Sequence, residues 1–178
     1  MFNLSALLSL KEECQTSKIA QSNNYTQSCT THHSGGLCLA NAKLGAVHGY
    51  AAVLGGMFET APHGAICATL LPHVFRKNAE KLSSMAEGGD ASARLKLSRF
   101  TEVSRIITGL ETATVSQGVT WLEMLVRDLN VPTLSLICAV QPHQLPDIAQ
   151  STAGSSSTKG NPVLLTVAEL EEILKKAF

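Results

Sequence analysis

Apolar residues along this chain recur at helical rather than alternating spacing. From Gly35 to about Gly56, Leu37, Leu39 (or Ala40), Leu44 and Val47 fall near a 3.6-residue period, which predicts a first helix. Phe58-Glu59-Thr60-Ala61 reads as a connection, and Pro62 stands where a helix can begin. A second helix is predicted from His63 to about Asn78, with Ile66, Leu70, Leu71, Val74 and Phe75 along one side and a bend at Pro72. Ser83 to Ser92 reads as a loop by its Gly and Ser content. Leu95, Phe100, Val103, Ile106 and Ile107 form the inner face of a third helix that ends at Gly109. A fourth, from Thr114 to Leu129, buries Val119, Leu122, Leu125, Val126 and Leu129; Asn130 can take the left-handed cap and Pro132 follows as a stop.

Leu134 to Val140 is an apolar run, read as a buried loop in preference to a short strand. Pro142 to Gln150 reads as a short helix and Ala153 to Lys159 as a flexible loop. Thr166-Val167-Ala168-Glu169 makes a capping box, in which the Thr hydroxyl takes the amide three residues on and the Glu reaches back. It opens a final helix with Leu170, Ile173, Leu174 and Phe178 available for burial. There is no internal repeat, no β-α-β alternation and no run of alternating strands, so the expected fold is an all-α helical bundle. Gln15 to His33 differs: it is rich in Thr, Ser, Gln and Asn with no clean period. Two parts are therefore expected, a poorly ordered segment 1–33 and a helical domain 34–178.

Composition narrows the chemistry. The 178 residues suit one domain; 44% are apolar but only 4% aromatic, which calls for a core of Leu, Val, Ile and Ala between closely packed helices. A net charge of zero and the absence of a long basic run argue against a nucleic-acid partner. No window reaches the roughly 18 apolar residues of a membrane span, and the apolar start lacks the basic residue of a signal peptide. Five cysteines without a C-x-x-C pair point to free thiols in a reducing compartment, so a soluble, cytoplasmic chain is expected.

Candidate chemistry concentrates between Gly36 and Asn78, which hold six of the 13 glycines together with His48 and His63. Each of these histidines is followed by glycine, and glycine lets a helix or a ligand approach the backbone closely. Imidazole suits iron, zinc or nickel. Yet a separation of fifteen matches no compact zinc signature, two donors are too few for a catalytic centre, and a satisfied core histidine is the competing reading. Asp90, Glu59 and Asp128 lie in expected loops or on polar faces and make poor partners. His73 reads as a packing residue, His143 as exposed, His32-His33 as part of a polar loop, and Cys67 as a structural thiol with no activating base. No dinucleotide turn, phosphate loop or nucleophile elbow occurs, so the sequence itself assigns no catalytic or cofactor-binding residue.

Leu39 to Asn78, LANAKLGAVHGYAAVLGGMFETAPHGAICATLLPHVFRKN, resembles the C-terminal helical domain of the iron-containing (group III, metal-dependent) alcohol dehydrogenases, the dehydroquinate synthase-like helical fold. Gly118 to Pro132 and Lys159 to Leu174 resemble it too, so the likeness runs from Ser34 to the end. The resemblance implies a divalent metal, iron or zinc, held by one Asp and three His, of which the last two match His48 and His63. It implies a small alcohol or carbonyl substrate, NAD(P) in a full-length form, no nucleic-acid or membrane partner, and leaves a homo-oligomer open. Maleylacetate reductases and hydroxyacid–oxoacid transhydrogenases share the fold.

Three departures qualify that inheritance. The cofactor domain and the helix with the first two ligands have no counterpart, and residues 1–33 do not resemble that helix. The family's additional His is Ala52, and the His48–His63 interval is one residue longer than usual. The expectation is a truncated chain, inactive alone, with part of a metal site. The reading from another class is a non-catalytic helical interaction protein.

Overall fold

The computed structural model describes residues 43–178, and the expectations for residues 1–33, for His32-His33 and for the start of the first helix lie outside the described residues. Seven α-helices follow one another within them: α1 Ala46–Met57, α2 His63–Glu87, α3 Ala91–Thr108, α4 Val115–Asp128, α5 Leu134–Cys138, α6 Leu145–Gly154 and α7 Val167–Ala177. Single 3₁₀ turns at Pro142–Gln144 and Thr158–Gly160 precede and follow α6. There is no strand among the described residues, in agreement with the all-α expectation.

α2 is the axis of the bundle and packs against α1, α3, α4, α5 and α7. Its buried residues Ile66, Leu70, Val74, Ala79, Leu82 and Ala86 keep helical spacing over the whole length. Fully burying a side chain such as Leu70 or Leu82 stabilises the fold by about 1.5–3 kcal/mol. The helix continues past Asn78 to Glu87, because Leu82 and Ala86 extend the inner face while Ser84 stays outside. The loop expected from Ser83 to Ser92 therefore shrinks to three residues, closed by Asp90, whose carboxylate accepts from the Ala93 amide at 3.0 Å. Pro72 is buried within α2 and does not end it.

Other boundaries follow expectation or correct it. α3 ends at Gly109 in the left-handed region (φ 74°), and Asn130 takes the same role after α4 (φ 52°). The Thr166–Glu169 capping box is formed, as is a second box at Thr114–Gln117. Leu134–Cys138 is a short helix, neither loop nor strand, and stops at Ala139 with a positive φ of 50°. The supposed loop after Ala153 holds the end of α6 and a 3₁₀ turn with Thr158 buried. Leu95 and Leu129, expected inside, are exposed; Phe100 and Leu122 carry the inner faces of α3 and α4.

α1 begins at Ala46, so Gly45 lies just outside the helix, while Lys43–Gly45 are non-helical. Gly49 does sit inside, buried against the Thr158 turn: a Cβ there would lie 2.0 Å from Thr158 Oγ1. Only glycine allows α1 that close to the 3₁₀ turn. Farther along, the buried Tyr50 hydroxyl donates to the Leu170 carbonyl at 2.7 Å and ties α1 to α7.

Candidate metal centre

α1 and α2 are joined by the five residues 58–62, which turn the chain so that the two helices pack together. His48 lies in the first turn of α1 and His63 is the first residue of α2. The packing brings their rings to a centroid distance of 5.6 Å, tilted by 50°. His48 is half-buried and His63 exposed, so the pair has an inner and an outer member. With the interval of fifteen residues that this chain has, His63 faces His48.

A third donor joins them. Cys67 stands one helical turn after His63, half-buried, and the ligand atoms of His48, His63 and Cys67 all lie within 4.8 Å of one another. The sequence reading of Cys67 as a structural thiol with no activating base did not place it beside the two histidines. The signal was present as His-x-x-x-Cys, since residues four apart share a helix face. Among the described residues, Cys67 and Cys138 are free thiols.

Electrostatics set the protonation of the group. Burial, and secondly the His63 charge, lower the pKa of His48, so its imidazole is neutral and able to donate a lone pair at neutral pH. Burial pushes the Cys67 thiol up to about 11, and a nearby cation acts in the opposite direction. Two imidazoles and one thiol form a donor set of borderline softness, which fits a divalent transition metal rather than magnesium or calcium.

The remaining candidates lie elsewhere. Asp90 is the α3 cap, Glu59 is exposed in the connection, and Asp128 is exposed with its carboxylate 3.6 Å from Arg127. His143 is exposed in its 3₁₀ turn. His73 is half-buried on α2; burial lowers its pKa most, Arg76 and Lys176 lower it further, and Glu123 opposes them. Ala52 is exposed one turn beyond His48 and supplies no donor.

Comparison with known proteins adds a family and a fold. The profile of the "Fe-containing alcohol dehydrogenase family, C-terminal" matches residues 3–178, starting ahead of Ser34. Lactaldehyde reductase of Escherichia coli K12 is 29% identical over 149 residues, covering 80% of this chain and 35% of the relative. The 1,3-propanediol dehydrogenase of Klebsiella pneumoniae is 29% identical over 148 residues, with 80% and 34% covered. The chain thus spans about a third of the length of these relatives. An iron-containing alcohol dehydrogenase of Thermococcus thioreducens superposes with a TM-score of 0.76 at 22% identity, over 98% of this chain and 42% of that one.

Proposed function

Because the chain belongs to the Fe-containing alcohol dehydrogenase family, matching its C-terminal part, we propose that it supplies the metal-binding helical half of a metal-dependent alcohol or carbonyl oxidoreductase. What supports the reading is the convergence of His48 on α1 and His63 on α2 at 5.6 Å. Fifteen residues apart in sequence, they meet only because the two helices pack.

Iron or zinc bound there supplies Lewis acidity toward an alcohol or carbonyl oxygen. The chain's own residues have simpler tasks. His48 offers an unprotonated nitrogen from the inner wall, and His63 faces the open side where a small substrate can enter. The names of the relatives, a lactaldehyde reductase and a 1,3-propanediol dehydrogenase, support a small alcohol or aldehyde as the substrate. In this proposal NAD(P) is held by a part of the full-length enzyme other than this helical unit, and the compartment is the reducing cytoplasm. No helix among the described residues is long and apolar enough to cross a membrane.

The test is metal content. The purified chain, supplied with iron or zinc, is expected to hold metal stoichiometrically, and both His48→Ala and His63→Ala are expected to lose it. A folded parent that stays metal-free under those conditions overturns the proposal. The second reading, a non-catalytic helical interaction protein, draws on Leu136 and Leu164, which are 77% and 84% exposed. Such side chains suit a partner surface. Stoichiometric metal in the parent counts against it.

A further inference from the structure

We infer that Cys67 is a metal ligand in this protein, giving a three-donor site of two nitrogens and one sulfur that lies wholly within α1 and the first two turns of α2. The inference rests on the proposal that His48 and His63 hold a metal, and sharpens it: with a thiolate in the set, the site takes zinc or cobalt(II) in tetrahedral coordination, with one position left for water or substrate. Three observations carry it. The three ligand atoms lie within 4.8 Å of one another. Cys67 is half-buried, as His48 is, rather than sealed in the core. And His63 and Cys67 are four residues apart on one helix, a spacing that puts two side chains on one face with no loop to order.

The distances are those of a site that needs side-chain adjustment only. Zinc–nitrogen bonds of about 2.0 Å and zinc–sulfur bonds of about 2.3 Å put tetrahedral donors roughly 3.3–3.6 Å apart. The donors here need close by no more than about 1.5 Å, within the reach of χ rotations of His and Cys. On binding, the Cys67 S–H bond breaks, the sulfur keeps the electron pair as it bonds to the metal, and the proton leaves to solvent. No oxidant or reductant takes part. Three protein donors plus one open position is the composition of a catalytic zinc centre, whereas two histidines alone fall short of it.

Cobalt(II) reports on the ligand directly, because a cobalt–thiolate bond gives a charge-transfer absorption that imidazole does not. The purified chain, kept reduced, is titrated with cobalt(II) and then with competing zinc, beside Cys67→Ala, Cys67→His and His63→Ala variants whose folding is checked by circular dichroism. The expected result is one cobalt per chain, with a thiolate charge-transfer band and tetrahedral d–d intensity. Cys67→Ala loses the band and binds more than about 100-fold more weakly, beyond the cost of losing an outer-shell partner, and Cys67→His loses the band while retaining affinity. If the folded parent binds cobalt without the band, and Cys67→Ala binds equally well, Cys67 is not a ligand and the two-histidine proposal stands. If the folded parent binds no cobalt, both fail.

Discussion

The side-chain amides of Asn78 and Asn161 face each other and exchange two hydrogen bonds. Asn78 Nδ2 donates to Asn161 Oδ1 at 3.2 Å, and Asn161 Nδ2 donates to Asn78 Oδ1 at 2.7 Å. The same Asn161 oxygen accepts from the Ala46 amide at 3.2 Å, and its nitrogen also donates to the Val163 carbonyl at 2.7 Å. One side chain after the 3₁₀ turn thus caps α1, grips the middle of α2 and orders the run into α7. Asn78 is fully buried, so its amide depends on this partner. The phase of α1 against α2 decides whether His48 meets His63, and this amide pair helps to set it.

Asn161→Ala is expected to destabilise the chain by about 2–4 kcal/mol, the sum of a lost helix cap and a buried amide left without its partner. Urea unfolding followed by circular dichroism measures it. A loss below about 1 kcal/mol, within the range of an ordinary surface change, would refute the coupling.

The approach of α1 to the Thr158 turn makes a second prediction. Gly49→Ala puts a methyl group where Thr158 Oγ1 sits, and overpacking of this kind costs about 1–3 kcal/mol. Combining it with Thr158→Ala removes the obstructing hydroxyl, so the double variant is expected to recover most of the loss. A double-mutant cycle that closes additively would show that the two residues do not collide.

Metal binding is expected to raise the melting temperature, because a ligand that binds only the folded chain stabilises it by about 2.7 kcal/mol at a hundred times its Kd. Chelator should reverse the shift, and His48→Ala or His63→Ala should abolish it. A zinc-induced rise of equal size in both variants would place the metal somewhere else.

Glu172 ties α7 to α2 and gives a pH prediction. Hydrogen bonds from Lys176 first and then Lys77 hold its carboxyl at about 2, with oxygen–nitrogen separations of 2.8 and 2.5 Å. A folded pKa below the unfolded value contributes stability that is present above about 4.5 and is lost as pH falls toward about 2. Because the Glu172 side chain is close to half exposed, the effect is small and screened by salt. Glu172→Gln should flatten the acid limb of the stability profile in that window at low salt. An unchanged limb would remove this pair from the account.

Much of the bundle was legible because local chemistry and packing agree. Gly109, Asn130 and the Thr166–Glu169 box end or begin helices as their side chains dictate. The misreadings have local causes as well. Ser83 and Ser84 drew the first part of α2's last turn into a loop, although Leu82 and Ala86 continue the period. Leu134–Cys138 is too short to show a period at all. Leu95 and Leu129 are apolar but face outward, which no residue type announces. His48 and His63 could be named from the sequence, but their meeting depends on helix packing that spacing does not encode. Cys67 has no base to make it a nucleophile, and its signal as a donor lies only in the four-residue spacing from His63.

The connection of residues 58–62 has a consequence for tolerance to change. The Phe58 amide closes α1 by donating to the Leu54 carbonyl at 2.8 Å, and Pro62 starts α2. The rotation of α2 is held by its own buried face, from Ile66 to Ala86, and not by the length of chain that leads into it. A residue gained or lost at Glu59 or Thr60, both exposed, is therefore expected to be tolerated, whereas a one-residue slip within α2 would swing His63 and Cys67 by about 100° and dismantle the cluster at once.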